Sequence, residues 1–371
     1  MIDVEVQITD FYPRKGRRGL DFHYVLENDK LYHVSRYAKR TVNRKRSDGS
    51  ITYVLDLSEL PSEWVYVFSR TNSGFPRFRK FKAKDLLSKD MNLIDVNDDE
   101  LTGLKLGDLS PEFQRYFNKN WSYIVKMVES IKRSKLRSMV QYHHFHPGVL
   151  CFLDSLTKGY WWSASWPTDR ARKNSLAQEM KFIHQLWMFN FVVEALGIKR
   201  SLTDYVTIEQ GGGRPSIVFE DKKGEIWSGW VECQVLREIE GTWLRVVTGE
   251  GEHMVKRTVW VRADLVFAKG DWRGKEEQYG GMYWTVRDLK ADLLIECKHE
   301  EAYEWWNEKT YSQLKQYIEV FRPEHALLVS LRKLPNSVKE TVKALGYKAF
   351  DEVYPESHET VELIRYLERL A

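Results

Sequence analysis

The stretch at residues 292–300, DLLIECKHE, has the apolar composition of a buried β-strand and yet carries several charges. Side chains alternate between the two faces of a strand, so Asp292, Glu296 and Lys298 share one face and the apolar residues share the other. A buried carboxylate–lysine pair is costly and often stabilises a fold little. This strand therefore indicates a functional site more than a structural ion pair.

Composition sets broad limits on the class of protein. The chain has 371 residues, of which 43% are hydrophobic and 30% charged, so we expect a globular protein of two or three domains. No apolar run approaches the roughly 20 residues that cross a bilayer, and no signal-peptide pattern is present. The three cysteines are widely spaced and indicate neither a disulfide framework nor a zinc site. A cytoplasmic protein with no membrane partner is the expectation.

Two segments near the N-terminus are strongly basic. Residues 36–46, RYAKRTVNRKR, and residues 70–84, RTNSGFPRFRKFKAK, each hold six basic residues and no acidic one. The second segment also contains three phenylalanines, and basic residues interleaved with aromatics suit a nucleic-acid backbone. The alternative is a solvated basic face of a β domain. The residues that we expect to contact nucleic acid are Arg40, Arg44, Lys45, Arg46, Arg77, Arg79 and Lys80.

The pattern of elements predicts three regions. Residues 1–98 contain short β-branched and aromatic runs separated by turn signals, which predict a β-rich domain. Residues 99–172 show helical periodicity and aromatic loops, and form a predicted connecting region. Residues 173–371 read as a helix, several strands, a helix, a strand and further helices. This order predicts an α/β or α+β domain with a mixed central sheet flanked by helices.

Two strands of the third region carry acidic residues suited to metal chemistry. Asp264 lies in VRADLVF, and Glu296 lies on the next core strand, two positions before Lys298. If these strands are neighbours, the two carboxylates and the carbonyl of Cys297 can hold a divalent cation. Such a cation activates water and stabilises charge on a phosphate, and a lysine can position that water.

This pattern resembles that of the PD-(D/E)XK nuclease superfamily. RAD at 262–264 takes the place of the Pro-Asp motif, with Ala263 replacing the proline, and ECK at 296–298 takes the place of (Asp/Glu)-x-Lys. Residues 270–288 between them predict an inserted hairpin or loop. The resemblance implies a restriction-endonuclease-like fold, a Mg²⁺ or Mn²⁺ ion held by Asp264 and Glu296, and a catalytic Lys298.

The helix after the second motif extends the resemblance. QLKQY at 313–317 gives Gln313 and Tyr317, which match the Gln-x-x-x-Tyr spacing of the RecB-like branches. Residues four apart face the same way on a helix, so both side chains can face the site. The alternative is a pair that only packs.

The first helix of the region is similar to the Tyr-Glu-x-Trp helix of the nuclease subunit in modified-cytosine restriction systems (McrC). Trp187 matches, but His184 stands at the tyrosine position and Gln185 at the glutamate position. The family glutamate often assists metal binding, so Gln185 leaves that role open. Glu179 is a candidate substitute, although it lies six residues earlier and on another face of the helix.

Two further sets of residues compete for a metal role. Asp292 shares a strand face with Glu296, but four residues of strand span roughly 13 Å, which favours Asp264 as the partner acid. His143, His144 and His146 lie in YHHFHPG, which we interpret as a loop with a structural or substrate-contact role.

The resemblance, together with the residues that carry it, predicts a metal-dependent DNA endonuclease. The expected setting is restriction, antiviral defence or DNA repair. A separate NTPase is an expected partner because the chain has no phosphate-binding loop of its own. Cleavage of both strands would need two sites, so a homodimer is also expected. The alternatives are a non-catalytic nucleic-acid-binding or adaptor protein on the same fold, and an RNA-directed nuclease.

Overall fold

The computed structural model describes residues 4–11, 20–45, 49–70, 77–88, 91–144, 168–208, 212–248, 251–279, 283–287 and 289–370. The chain divides into two compact units. One consists of Met1–Val125 with His146–Glu179, and the other of Lys126–Phe145 with Met180–Ala371. These boundaries differ from the predicted ones, because residues of the predicted connecting region are shared between the two units.

A mainly antiparallel sheet forms the first unit. Its strands are β1 (Glu5–Phe11), β2 (Leu20–Glu27), β3 (Lys30–His33), β4 (Ala38–Lys45), β5 (Ser50–Asp56), β6 (Trp64–Arg70), β7 (Arg77–Lys82), β8 (Ile94–Asp95) and β9 (Lys105–Leu106). They are ordered β4-β5-β1-β2-β6-β7-β8, with β3 beside β2 and β9 parallel to β3. Alternate residues of β1, Val6 and Ile8, enter a core that includes Val25, Leu55 and Phe81.

Helices follow where the apolar spacing becomes helical. They are α1 (Asp98–Gly103), α2 (Pro111–Arg133), α3 (Lys135–Met139), α4 (Asp169–Ala195), α5 (Ala302–Trp305), α6 (Glu308–Phe321), α7 (Asn336–Ala344) and α8 (His358–Leu367). Short 3₁₀ turns occur at Val34–Arg36, Leu57–Glu59 and Ala83–Leu87. In the described ranges, no helix has both the length and the hydrophobicity that a membrane span requires.

A mixed sheet forms the centre of the second unit. The strands of this unit are β10 (Gln141–His144), β11 (Ile198–Ser201), β12 (Tyr205–Ile208), β13 (Ile217–Asp221), β14 (Ile226–Thr248), β15 (Gly251–Lys269), β16 (Glu276–Tyr279), β17 (Tyr283–Arg287), β18 (Leu293–Lys298), β19 (His325–Ser330) and β20 (Tyr347–Phe350). The sheet order is β11-β13-β14-β15-β18-β19-β20, with β17 beside β14 and β16 beside β17. Strands β18, β19 and β20 are parallel, whereas β13, β14, β15 and β18 pair antiparallel.

Helices pack on this sheet. Leu293 of β18 lies opposite Phe267 of β15, and the Phe267 ring stacks on Phe189 of α4 at 5.6 Å. Leu294, the next residue of β18, belongs to a core cluster that contains Leu314 of α6. Successive residues of a strand point to opposite faces, so α4 and α6 cover the two faces of β18.

The predicted β-rich N-terminal region and the mixed sheet with helices are confirmed as a two-sheet α/β architecture. The hairpin expected within 270–288 is also present as the antiparallel pair β16–β17. The loop expected around the histidines is wrong in part. His143 and His144 lie on β10, which pairs with β12 in parallel, and His146 lies outside the described residues.

Candidate active site

Strands β15 and β18 are hydrogen-bonded neighbours, and their register brings two acidic residues together. The paired part of the two strands ends at Leu265 and Ile295, and Asp264 and Glu296 are the residues directly beyond that pair. Both side chains are buried, with exposed fractions of 9% and 3%. Asp264 Oδ2 accepts a hydrogen bond from the backbone N–H of Cys297 at 2.9 Å, which ties the acid of one strand to the next.

Lys298 neutralises one oxygen of Glu296 and leaves the other without a partner. Lys298 Nζ donates to Glu296 Oε1 at 2.6 Å, whereas the buried Oε2 has no hydrogen-bond partner among the described residues. Burial and the charge of Asp264 raise the pKa of Glu296 to about 7 despite this ion pair. The site therefore holds a carboxyl group that ionises less readily than an exposed one, and added positive charge would favour its ionised form.

Lys298 is a buried cation. Burial alone would lower the pKa of its ammonium group, but the carboxylates of Glu296 and Asp264 outweigh burial and raise that pKa above its usual value. The Lys298 Nζ also lies 5.3 Å from the centre of the Trp305 ring, within the range of a cation–π contact. Lys298 thus remains protonated at neutral pH and can act on a substrate as a fixed positive charge.

Helix α6 contributes two further groups to the site. Its N-terminus is capped by Asn307, and Gln313 and Tyr317 lie one turn apart within it. The amide of Gln313 donates to the Tyr317 hydroxyl, and that hydroxyl donates to the carbonyl of Arg262 at 2.6 Å. Burial, Glu296 and Asp264 raise the pKa of Tyr317 above its usual range, so the hydroxyl stays protonated. The pair therefore links α6 to strand β15 beside Asp264.

These groups surround a cavity of about 400 Å³ in the second unit, a volume within the range of ligand sites. The cavity is lined by side chains of both charge signs together with polar and aromatic groups: Lys181, Val261, Arg262, Asp264, Glu296, Cys297, Lys298, His299, Glu300, Trp305, Gln313, Gln316 and Tyr317. Five predicted site residues, Asp264, Glu296, Lys298, Gln313 and Tyr317, are therefore brought to one place, with Cys297.

Several lining residues were not predicted from the sequence. Lys181 lies four residues before Gln185 on α4, a spacing that could have identified it as a neighbour on the same helix face. Arg262 belongs to the RAD motif itself, and His299 and Glu300 directly follow Lys298. Their side chains add positive and titratable groups at the cavity wall.

Gln185 of helix α4 contacts Asp264 although it does not line the cavity. Its amide Nε2 donates to Asp264 Oδ1 at 2.5 Å. Glu179 is also buried on α4 but belongs to the N-terminal unit and does not line the cavity. Gln185 therefore orients the Asp264 carboxylate from outside the cavity.

His184 and Trp187 are packing residues of the same helix. Burial lowers the pKa of His184 to about 3, so the imidazole is neutral. Its ring stacks on Trp187 at 6.2 Å, and the Trp187 indole donates to the Ser130 hydroxyl at 3.1 Å. These contacts of His184 and Trp187 thus help to hold helix α4 in place.

The cavity offers the oxygens of two carboxylates and one backbone carbonyl, which are the type of ligand that hard divalent cations take. The unpartnered Glu296 Oε2 and the repulsion between Glu296 and Asp264 would both be relieved by a positive ion. Burial raises the pKa of the Cys297 thiol well above its usual value. Because a neutral thiol is a poor ligand for a hard cation, the Cys297 carbonyl is the candidate ligand of this residue. Among the described residues, no group of three or more His, Cys, Asp or Glu side chains is arranged for a metal ion.

Asp292, the alternative acid, lies at the opposite end of β18. Its Oδ2 accepts a hydrogen bond from the backbone N–H of Lys269 at 2.7 Å, and it does not line the cavity. This carboxylate joins the ends of β15 and β18 where the strands leave the sheet.

The basic residues of the first unit have different surroundings. Lys80 donates to both carboxylate oxygens of Glu100, at 2.8 and 2.7 Å, and is 19% exposed. Arg40 is 66% exposed and pairs with Glu5 at 3.0 Å. Lys80 is therefore held within the fold, whereas Arg40 reaches solvent.

The other basic residues vary in exposure. Arg77 is exposed at the start of β7, and Arg79 is partly buried, with an Nε that has no hydrogen-bond partner in the described part of the chain. Arg44 and Lys45 end strand β4, and Arg46 lies outside the described residues.

The sequence matches no protein-family model and no curated protein. Among solved structures, the chain is similar to the crystal structure of protein VC1899 from Vibrio cholerae, with 10% sequence identity over 79% of this chain and 67% of that chain. The TM-score of that comparison is 0.28, which is too low to carry an argument about fold or function.

Proposed function

We propose that the protein is a metal-dependent nuclease that hydrolyses phosphodiester bonds of DNA, on a domain of the PD-(D/E)XK type. The observation that supports this best is the meeting of Asp264, Glu296 and Lys298 in one cavity, with a buried Glu296 oxygen that lacks a partner. Perturbed titratable groups that converge in a cavity are typical of catalytic sites.

Each residue has a role that follows from its chemistry. The carboxylates of Asp264 and Glu296, with the Cys297 carbonyl, would hold Mg²⁺ or Mn²⁺. When bound, such an ion supplies positive charge to the phosphate and lowers the pKa of water. Lys298 is protonated, so it stabilises developing negative charge and orients the attacking water as a donor rather than acting as a base.

The supporting groups hold these residues in place. Gln185 donates to Asp264 and fixes the orientation of its carboxylate, while Tyr317 and Gln313 tie α6 to the backbone of Arg262. Such groups act by positioning, because even small displacements of reacting groups reduce rates strongly.

A non-catalytic nucleic-acid-binding or adaptor protein is the second candidate. Gln185 favours it, because an amide occupies the place of the helix glutamate that assists metal binding in the resembling families. The hydrogen bond from Gln185 to Asp264 keeps the acid oriented without adding a negative charge. On this alternative the cavity would bind nucleic acid and leave it uncut.

The partners follow from the proposed activity. The basic N-terminal unit would contact DNA, a separate NTPase would drive any translocation, and self-association would supply a second site for cutting both strands. Restriction, antiviral defence or DNA repair is the proposed setting.

A cleavage assay separates the candidates. Plasmid, single-stranded DNA and RNA are each incubated with the wild type and with Lys298→Ala, in Mn²⁺ and then in EDTA. We expect cleavage of DNA only by the wild type and only with Mn²⁺. Cleavage of RNA but not of DNA would favour an RNA-directed nuclease over the proposed DNA nuclease. Identical behaviour of wild type and Lys298→Ala on every substrate would contradict the proposal that the protein is an enzyme.

A further inference from the structure

Among the described residues that line the cavity, Lys181 and Arg262 take no part in the pair formed by Glu296 and Lys298. Lys298 is bound to Glu296, but Lys181 and Arg262 are associated with a different acid, Glu232. Lys181 Nζ lies 3.4 Å from Glu232 Oε1, and Arg262 Nη1 lies 3.8 Å from Glu232 Oε2. One carboxylate therefore holds two cations at the cavity wall.

Both of these pairs are loose. Hydrogen-bonded ion pairs have nitrogen–oxygen distances of roughly 2.7–2.9 Å, whereas the two Glu232 contacts are distinctly longer. The side chains of Lys181 and Arg262 are 35% and 52% exposed. An ammonium group has three donors and a guanidinium group has five. Each cation therefore keeps donors that a ligand in the cavity can use.

Glu232 occupies an unusual place in the sheet. It lies between the register pairs Val231–Leu265 and Cys233–Ala263, which sets it opposite Asp264. Its φ of 55° is in the left-handed region, which a residue with a Cβ adopts at a cost. Strained conformations of this kind persist where the surroundings enforce them, and they concentrate at functional sites.

We propose that Lys181 and Arg262 bind a second phosphate of the substrate strand, next to the phosphate that is hydrolysed. The assignment rests on the proposed function for the identity of the scissile group. Lys181 and Arg262 exceed the charge of Glu232 by one positive charge, which matches a single phosphodiester. The planar guanidinium suits two phosphate oxygens, and the ammonium suits a third contact.

This subsite implies a substrate class. A polynucleotide offers consecutive phosphates along one strand, whereas a simple phosphate diester offers a single one. The cavity would therefore select a nucleic-acid chain over an isolated diester. Lys181 and Arg262 would contribute to affinity for the chain and not to the chemical step.

Binding without metal gives the first test, because it does not depend on activity. A short fluorescent DNA duplex is titrated in EDTA, at several salt concentrations, with the wild type, Lys181→Gln and Arg262→Gln. We expect binding weaker by about an order of magnitude at low salt, and a salt slope smaller by about one in each variant. Wild-type affinity and slope in both variants would overturn the proposal.

Two control variants remove one positive charge at a position outside the cavity. Lys290 pairs with Glu324 at 3.0 Å and Arg200 pairs with Glu220 at 2.6 Å, and neither lines the cavity. Lys290→Gln and Arg200→Gln should bind DNA as the wild type does. A loss of affinity as large as that of the cavity variants would show that total charge, and not the subsite, is responsible.

Kinetics with two substrates gives the second test. On DNA with Mn²⁺, we expect Lys181→Gln and Arg262→Gln to raise KM about tenfold with little change in kcat. On bis(p-nitrophenyl) phosphate, which has one phosphate, both variants should lose less activity than they lose on DNA. Equal losses on both substrates would contradict the subsite. If the wild type hydrolyses neither substrate, the proposed function fails, and the binding test still decides whether the phosphate subsite exists.

Discussion

The ionised carboxylate of Glu296 lowers the stability of the folded protein. Its carboxyl group is buried beside Asp264, and one of its oxygens has no hydrogen-bond partner within the described residues. Burial and the Asp264 charge raise the pKa of Glu296 from about 4.5 to about 7. Because the folded protein binds this proton more tightly than the unfolded chain, the contribution to stability is complete below pH 4.5 and is lost as the pH rises through 7.

The substitution Glu296→Gln should remove this loss. Between pH 4.5 and pH 8, the free energy of unfolding of the metal-free wild type should fall by about 3 kcal/mol more than that of the variant. Urea denaturation of both proteins in EDTA, at pH 5 and at pH 8, measures the difference. A difference that is the same at both pH values would contradict the raised pKa of Glu296.

Helix α4 and strand β15 form the frame that holds Asp264. Phe189 of α4 stacks on Phe267 of β15, and Gly229 of β14 lies directly at this contact. A Cβ atom at Gly229 would approach Phe267 to 2.7 Å and Phe189 to 3.2 Å. The absence of a side chain at Gly229 therefore sets the distance at which α4 packs, and so the reach of Gln185 to Asp264.

The substitution Gly229→Ala should force this contact apart. Overpacking of this kind costs about 1–3 kcal/mol, and we expect a matching fall in the free energy of unfolding. Gly103→Ala is the control, because a Cβ there would meet no atom within 4 Å. Chemical denaturation of both variants measures the effect. Equal stability of Gly229→Ala and the wild type would show that α4 is packed more loosely than its ring contacts indicate.

Local periodicity allowed part of the site to be predicted. Alternation along β18 set Glu296 and Lys298 on one strand face. The resemblance to the Gln-x-x-x-Tyr motif identified Gln313 and Tyr317, and their four-residue spacing set both on one face of α6. Glu232 could not be predicted in this way. Its place depends on the register between β14 and β15 and on a left-handed backbone, and both are set by long-range pairing.

The distribution of charge over the whole molecule is uneven although its net charge is only +4. In the first unit, ion pairs already engage Lys80 with Glu100 and Arg40 with Glu5. Contact of Arg44, Lys45 and Arg46 with nucleic acid stays a prediction from the sequence. Long-range attraction to phosphate depends on such clusters more than on net charge.

Charge reversal at Arg44, Lys45 and Arg46 tests this prediction. We expect the triple variant to bind DNA more weakly and to lower the salt slope by up to about three, since each lost phosphate contact lowers it by about one. Its Mn²⁺-dependent hydrolysis of bis(p-nitrophenyl) phosphate should be unchanged. An unaltered salt slope would mean that these residues form a solvated face.

The claim that Asp264 and Glu296 form a divalent metal site can be tested by calorimetric titration of Mn²⁺ at pH 8, where Glu296 is ionised. We predict one site in the wild type and binding weaker by about tenfold or more in Asp264→Asn and Glu296→Gln. Asp292→Asn, at the other end of β18, should bind as the wild type does. No binding by the wild type, or undiminished binding by Asp264→Asn and Glu296→Gln, would contradict the account.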